Sequence, residues 1–159
     1  MDVSIIIVNY NTCDLLKQCI QSIITNTREV VYEIIVIDND SHDESCQMLK
    51  NDFPTVKLIR SNINLGFGKA NNLGIKQASG KYLFFLNSDT ILCNNAIKNF
   101  FEFSISYTDK LGATGTILKD NNGNNIHSYG KFITIKSELK NVLTKYSKIF
   151  GVKNNTDYL

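Results

Sequence analysis

The sequence predicts an α/β fold with a central, mostly parallel sheet flanked by helices. Apolar, β-branched runs alternate with amphipathic segments through residue 104, in the order βαβαβαβα. The apolar runs are continuous, which is typical of parallel strands that are buried on both faces. Polar residues follow every run. Because parallel strands with right-handed crossovers end at one edge, these residues predict a ligand site there.

Four strands and four helices are predicted in the first part of the chain. The strands are VSIIIV at 3–8, YEIIVID at 32–38, VKLIR at 56–60 and KYLFFLN at 81–87. We expect the last of them to be fully buried. Apolar residues at three- and four-residue spacing predict a helix at 14–27. Helices are also predicted at 43–52 and 94–104, and residues 66–79 are predicted to be a loop that enters a helix. Ser41 and Glu44 predict a capping box for the second helix, and Gly80 a stop for the third.

Beyond residue 104 the pattern is weaker. Residues 112–119 predict a strand, the segment DNNGNN at 120–125 a turn, and residues 126–135 a strand that pairs back across it. Residues 137–150 predict an amphipathic helix with lysines on its polar face. This helix is either an ordinary surface helix or a basic surface that meets an anionic bilayer.

Charge divides the chain into two parts. Residues 131–153 carry six lysines against the single Glu138, whereas residues 1–130 are slightly acidic. We therefore predict a domain over residues 1–130 and a basic amphipathic segment over residues 131–159. The net charge of +2 is too small to predict nucleic acid as a partner.

Several classes of protein are disfavoured by composition. The chain has no CxxC pair, and neither histidine stands at zinc-ligand spacing from its four cysteines: Cys13, Cys19, Cys46 and Cys93. We therefore expect free thiols in a reducing compartment. The first residues predict a strand and not a signal peptide. No apolar stretch approaches the ~20 residues that span a bilayer.

Polar side chains at all four strand exits are the main functional signal. Asn and Asp commonly form turns, and a lone lysine is commonly solvated, so each exit alone has an ordinary structural explanation. Folding does not require polar residues at every carboxyl end, so the four exits together favour a binding site. They are Asn9, Tyr10 and Asn11; Asp38, Asn39 and Asp40; Asn64, Gly66, Lys69 and Asn72; and Asn87, Ser88 and Asp89.

The chemistry of these residues favours a nucleotide. Asp38 or Asn39 suits a ribose hydroxyl or a pyrimidine imide, Asn9 and Asn11 can hydrogen-bond a base, and Tyr10 can stack on it. A P-loop is absent, and the segment NYNTCD after the first strand lacks the glycines of a dinucleotide fingerprint.

Phosphate and metal chemistry are predicted at the other two exits. Lys69, near a predicted helix amino terminus, favours phosphate through its charge and the helix dipole. Asp89 is a hard oxygen ligand for Mg²⁺ or Mn²⁺, which bind one or two carboxylates together with substrate phosphates.

Four stretches resemble the inverting family-two glycosyltransferases with a GT-A fold, in particular the rhamnosyltransferase-like branch that builds bacterial surface polysaccharides. They are VSIIIVNYN, IIVIDNDSHDES, NLGFGKANNLGIKQASGKYLFFLNSDT and GNNIHS. The similarity is strong over residues 3–92, fair to about residue 130 and poor beyond. It implies a Rossmann-like nucleotide-diphospho-sugar transferase fold in truncated form, with residues 131–159 belonging to an incomplete acceptor-side half.

The resemblance also implies partners and site residues. It implies a UDP- or dTDP-sugar donor, a divalent Mg or Mn ion, a saccharide or lipid-linked acceptor, and a cytoplasmic location at the inner face of the membrane. Asn9–Asn11 and Asp38–Asp40 fall on nucleotide-contacting motifs. Asn64, Gly66 and Asn72 fall on an NxG…N segment, and Asn87–Asp89 on the metal-binding DxD, with Asn87 in place of its first Asp.

The general base of the family has no clear counterpart. None of the downstream carboxylates matches the acidic motif of the acceptor-side half: Glu102, Asp109, Asp120 and Glu138. The sequence therefore predicts the donor-binding portion of a glycosyltransferase and leaves the catalytic residue unknown. Two other classes stay open at this point, a nucleotidyltransferase and a non-catalytic nucleotide-sugar-binding or membrane-associated module.

Overall fold

The computed structural model describes residues 1–107, 112–120 and 122–126 and contains two compact units, Met1–Ala113 and Thr114–Leu159. The first unit has the predicted order βαβαβαβα. Its elements are β1 Val3–Asn9, α1 Cys13–Asn26, β2 Tyr32–Asn39, α2 Ser45–Asp52, β3 Lys57–Ser61, α3 Phe67–Ile75, β4 Tyr82–Asn87 and α4 Ala96–Ser106. None of these helices combines the length and the apolar character that crossing a bilayer requires.

The four strands form one parallel sheet in the order β3-β2-β1-β4. Asn9 lies opposite Asp38, and Val8 lies opposite Asn87, so the strands end nearly level at their carboxyl edge. The strand order reverses direction between β1 and β4. The predicted fold class is thereby confirmed, and the loops after β1 and β4 flank the point where such sheets bind ligands.

Two apolar clusters cover the two faces of the sheet. On one face, Ile5 and Ile7 of β1 pack with Ile20 and Ile23 of α1. On the other face, Ile6, Ile35 and Ile37 pack with Ala70 of α3. The continuous β-branched runs of β1 and β2 supply both faces, as the sequence predicted.

The prediction that β4 is fully buried is wrong. Tyr82, Phe84 and Leu86 point to the covered face, where Phe84 meets Phe100 of α4 edge to face at 5.3 Å. Leu83 and Phe85 point to the other face and are 40% and 49% exposed. The reason is position: among the described residues, β4 is an edge strand, and α3 packs over β1 and β2.

The predicted capping box at α2 is also wrong. The helix begins at Ser45, and the carboxylate of Asp43, not the Ser41 hydroxyl, accepts the Ser45 backbone N–H at 3.0 Å. The Ser41 hydroxyl instead accepts the backbone N–H of Asn11. Tertiary hydrogen bonds between loops therefore override the local motif.

The third helix is shorter than predicted because the chain tightens into turns after Ile75. The backbone N–H of Gln77 bonds to Gly74, and that of Ala78 bonds to Ile75, in three-residue steps. The chain then passes close to β1 at Gly80, where an added Cβ would lie 2.4 Å from the Ser4 nitrogen. Only glycine allows this approach.

In the second unit, the structure describes a short antiparallel hairpin. The strand predicted at 112–119 is limited to β5 Leu118–Lys119, which pairs with β6 Asn125–Ile126. The Asp120 carboxylate accepts the backbone N–H groups of Asn122 and Asn124 and closes the predicted turn. The rest of the strand predicted at 126–135, the helix predicted at 137–150 and the whole basic segment at 131–159 lie outside the described residues.

Candidate functional site

The exits of β1, β2 and β4 share one hydrogen-bond network. Asn9 donates through Nδ2 to Asp38 Oδ1 at 3.2 Å and to Ser41 Oγ at 3.0 Å. The Thr12 hydroxyl donates to Asn9 Oδ1 at 2.7 Å and lies in hydrogen-bond contact with the Ser88 hydroxyl at 2.9 Å. Ser88 directly precedes Asp89, so the loop carrying Asp89 and the buried Asp38 belong to the same edge of the sheet.

The loop between β3 and α3 joins this edge through two asparagines. Asn39 donates from Nδ2 to Asn64 Oδ1 at 2.9 Å and accepts the Leu65 backbone N–H at 2.9 Å. Asn64 Oδ1 also accepts the Gly66 backbone N–H at 2.9 Å. All four polar exits are therefore brought together.

Three of the predicted ligand-contacting residues are buried inside the network. Asn9, Asp38 and Asn39 are 0%, 1% and 3% exposed. Both carboxylate oxygens of Asp38 accept hydrogen bonds, from Asn9 and from the Ser41 backbone. Burial and a hydrogen bond to the Asp38 carboxylate raise the pKa of the Cys46 thiol. In this structure, these polar groups hold loops in place.

A second group of predicted residues faces outward. Tyr10 is 47% exposed, and Lys69 and Asp89 are exposed as well. The side chains of this group make no hydrogen bond or ion pair with any other described residue: Tyr10, Asp40, Lys69, Asn72, Asn87 and Asp89. Their polar atoms are therefore available to a ligand at the carboxyl edge.

Left-handed backbone shapes three of the loops. Asn11, Asp40 and Gly66 have φ angles of 55°, 74° and 73°. Asn and Asp tolerate this conformation better than other side chains, and glycine adopts it without strain. The Asn11 side chain adds support, since its Oδ1 accepts the His42 backbone N–H at 2.7 Å. The Asn and Asp residues after β1 and β2 therefore also serve as turn residues.

Sequence reasoning missed Asp43, which anchors two helices. Its Oδ2 accepts the Cys13 backbone N–H at 2.9 Å, and its Oδ1 accepts that of Ser45 at 3.0 Å, so one carboxylate serves the first residues of α1 and α2. Partial burial raises the pKa of Asp43, but hydrogen bonds from Ser45 and Cys13 outweigh it, and the net effect lowers the pKa. An Asp two residues before a helix was the available signal.

The residues at Asp89 suit a divalent cation that also binds phosphate. Asp89 offers an exposed carboxylate without an internal partner in the described ranges, and the Asn87 side chain beside it is exposed. Within those ranges, no group of three or more His, Cys, Asp or Glu residues can hold a metal ion. The donor set therefore fits Mg²⁺ or Mn²⁺ whose shell is completed by a diphosphate, and not an all-protein cage.

Comparison with known proteins identifies relatives of this chain. Residues 4–156 match the family model described as Glycosyl transferase family 2. The poly(ribitol-phosphate) beta-glucosyltransferase of Bacillus spizizenii is 35% identical over 109 residues, covering 65% of this chain and 17% of that protein. The rhamnosyltransferase-like branch stays a prediction.

Solved structures share the fold. S. aureus TarS 1-349 in complex with UDP-GlcNAc matches with a TM-score of 0.60 and 25% identity, over 67% of this chain and 32% of that one. The mannosyltransferase PcManGT from Pyrobaculum calidifontis, in complex with GDP-Man and Mn²⁺, matches with a TM-score of 0.54 and 19% identity, over 58% and 29%.

The chain spans about a third or less of the length of these three proteins. Two of them are solved structures that share its fold. Together with the match over residues 4–156, this assigns the sequence: the chain belongs to glycosyl transferase family 2 and has the GT-A fold.

Proposed function

We propose that this chain is the donor-binding portion of an inverting glycosyltransferase that moves a sugar from a UDP- or dTDP-sugar to a saccharide or lipid-linked acceptor. The observation that carries the proposal is the meeting of four polar loops at one edge, where the exposed side chains of Tyr10, Lys69 and Asp89 have no hydrogen-bond or ion-pair partner among the described residues. The family match supports a glycosyltransferase over a nucleotidyltransferase. UDP-GlcNAc bound to TarS supports a nucleotide-sugar donor.

Buried and exposed residues have different roles in this proposal. Asn9, Asp38 and Asn39 fix the loops through the hydrogen bonds described above. Because their side chains are buried, they contact a ligand only where gaps between the loops expose them. Tyr10 stacks on the base, and Lys69 supplies positive charge for the phosphates. Exposed aromatic and basic side chains serve these purposes without first breaking an internal bond.

The remaining predicted residues complete the pocket. Asn11 and Asp40 set the loop backbone after β1 and β2. Asn64 and Gly66 shape the turn before α3, and Asn72 offers an amide on that helix. Asn87 and Ser88 flank the cation site.

A divalent cation belongs to this proposal through Asp89. Mg²⁺ or Mn²⁺, when bound, neutralises charge that develops on the leaving diphosphate. The protein's part is to present the Asp89 carboxylate at a fixed place beside Asn87. A cation held there would be positioned in advance for the donor phosphates.

The proposal assigns no general base. Glu102 pairs with Lys98 at 3.5 Å on α4, and the Asp120 carboxylate is engaged by its own turn. Asp109 and Glu138 lie outside the described residues. We therefore assign donor binding to this chain and sugar transfer to the whole protein.

Location and membrane contact are also proposals. A cytoplasmic enzyme at the inner face of the membrane fits a lipid-linked acceptor, and the six lysines within 131–153 suit anionic lipid. Co-sedimentation with anionic liposomes tests the contact. We expect binding at low salt that weakens as salt rises, because charge attraction is screened. Binding that is indifferent to salt, or absent, contradicts the proposed contact.

Calorimetric titration with UDP and dTDP, with and without Mn²⁺, tests the donor site. We expect Mn²⁺ to strengthen binding of at least one nucleotide, and Asp89→Ala to remove that increment. Asp52→Ala is the matched control, because it removes an exposed carboxylate from the last residue of α2. If neither nucleotide binds, or if Asp89→Ala binds as wild type does with Mn²⁺, the proposal is wrong.

A further inference from the structure

Helix α1 presents a polar stripe to the loop after β4. Cys19, Ser22 and Asn26 stand three and four residues apart, so they share one face of the helix. Cys19 and Ser22 are buried, and Cys19 lies in the same apolar cluster as the neighbouring Leu16 and Ile20. Buried polar side chains are costly unless they are bonded, so their partners indicate their purpose.

The partners of this stripe lie on both sides of Asp89. The Cys19 thiol donates to the Asn87 carbonyl at 3.6 Å, and the same carbonyl accepts the Thr90 backbone N–H at 3.1 Å. The Leu92 backbone N–H donates to Ser22 Oγ at 3.0 Å.

Asn26 completes the stripe by donating through Nδ2 to the Leu92 carbonyl at 2.8 Å. The same amide group donates to the Ser22 carbonyl at 3.1 Å. The loop backbone is therefore tied to α1 at residues 87 and 92.

Asp89 depends on these ties because its side chain has none of its own among the described residues. Its position follows from the backbone of the loop between Asn87 and Leu92.

We propose that Cys19, Ser22 and Asn26 are positioning residues that hold Asp89 in place for the divalent cation. The inference rests on the proposed function, in which Asp89 binds that cation. None of the three touches the cation. They act through the loop, and their loss lets the carboxylate move, so that cation binding must first reorder it.

Ser22→Ala tests this role in the full 159-residue chain. Mn²⁺ is titrated in the presence of UDP, and free Mn²⁺ is counted by electron paramagnetic resonance. We expect the Mn²⁺ dissociation constant to rise about ten-fold, as for other groups that orient metal ligands. UDP affinity without metal, measured by calorimetry, stays unchanged, and the Leu92 amide exchanges hydrogen faster.

Ser4→Ala is the matched control. Ser4 is also a buried serine whose hydroxyl accepts a backbone N–H, from Gly80 at 2.8 Å, but it lies at the start of β1. Its loss lowers stability without touching the Asp89 loop, so Mn²⁺ affinity is expected to match wild type. A rise as large as that of Ser22→Ala means that general destabilisation is responsible, and overturns the inference.

Asn26→Asp is the second variant, and it decides the matter if Ser22→Ala fails to fold. The change keeps the shape of the side chain and removes the donor to Leu92, so Mn²⁺ affinity is expected to fall. If the folded variants bind Mn²⁺ within about two-fold of wild type, the inference is wrong. If wild type itself binds no Mn²⁺ with either UDP or dTDP, the proposed function fails, and the inference fails with it.

Discussion

At the scale of the residue, Asp43 illustrates how one carboxylate stabilises a fold. It accepts backbone N–H groups from the first residues of two helices, α1 and α2. Negative charge at a helix amino terminus is favourable, and here two helices share it. The site loops after β1 and β2 lead directly into these helices, so Asp43 also fixes where those loops end.

Asp43 makes stability depend on pH. Its pKa is lower in the folded chain than the ordinary value of about 3.9 in the unfolded chain. The contribution is therefore fully present above the unfolded pKa and is lost as pH falls through the lower folded pKa. We expect Asp43→Asn to be less stable than wild type at neutral pH. On acidification, its free energy of unfolding is expected to fall by less than that of wild type. Urea unfolding between neutral pH and pH of about 3 measures this.

Asp40→Asn is the control for that experiment, because the Asp40 carboxylate makes no hydrogen bond or ion pair among the described residues. We expect its unfolding free energy to follow pH as wild type does. If the free energy of unfolding of Asp43→Asn falls as steeply in acid as that of wild type, other carboxylates are responsible for the pH dependence.

Tyr10 separates stacking from hydrogen bonding in the proposed donor site. Stacking of one base on an aromatic ring contributes about 1–3 kcal/mol, so Tyr10→Ala is expected to weaken UDP binding about ten-fold. Tyr10→Phe keeps the ring and is expected to bind as wild type does. Calorimetric titration with UDP measures both. Equal weakening in both variants contradicts stacking and assigns the contact to the hydroxyl group.

At the scale of the element, α3 depends on a glycine where it meets the sheet. A Cβ on Gly74 would lie 2.6 Å from Ile6 Cγ2 and 2.8 Å from Ile37 Cδ1, in a buried cluster. We expect Gly74→Ala to lower the free energy of unfolding by about 1–3 kcal/mol, because overpacking displaces these side chains. Urea denaturation measures the change.

Gly68→Ala is the matched control in the same helix. An added Cβ there meets nothing within 4 Å, so the substitution is expected to be neutral or stabilising by up to about 1 kcal/mol, as in exposed helix positions. A loss of similar size in both variants contradicts the contact with Ile6 and assigns the effect to helix formation.

The elements themselves were largely predictable from periodicity. β1 and β2 are continuous β-branched runs buried on both faces, and α1 carries apolar residues at helical spacing, so local pattern and burial agree. β4 reads the same way as β1, yet one of its faces is exposed. An apolar run indicates a strand but not its place in the sheet, and the strand order depends on long-range pairing that the local pattern does not encode.

The candidate site was predictable in place but not in detail. Polar residues after every strand located it at the carboxyl edge. Which of them are buried depends on cross-loop bonds such as Asn39 to Asn64, between residues 25 positions apart. Spacing along the chain carries no information about such bonds. For the same reason, Ser41 was assigned to a cap, and the stripe of α1 that holds the Asp89 loop was missed.

At the scale of the whole molecule, the exposed face of β4 has consequences for association. Leu83 and Phe85 lie on β4, an edge strand among the described residues, and exposed apolar edges promote contact between chains. We expect the purified chain to associate as concentration rises, and Phe85→Lys to reduce this. Its unfolding free energy is expected to change by about 0.5 kcal/mol or less, since the side chain is half exposed. Light scattering and urea denaturation measure the two quantities.

Phe84→Ala, at the preceding position on the covered face of β4, is the contrasting variant. Phe84 packs on Phe100, so its loss is expected to cost about 2 kcal/mol or more and to leave association undiminished. If Phe85→Lys unfolds as readily as Phe84→Ala, then Phe85 is covered in solution and the exposed face is not the cause of association.

The contact between the Thr12 and Ser88 hydroxyl groups spans the point where the strand order reverses. It connects the loop that presents Tyr10 with the loop that presents Asp89. If occupancy of one loop alters the energy of the other through this contact, thermodynamic reciprocity applies. The factor by which the cation tightens the nucleotide must then equal the factor by which the nucleotide tightens the cation. Substitution of Thr12 or Ser88 could therefore change the cooperativity between the two ligands without altering Tyr10 or Asp89.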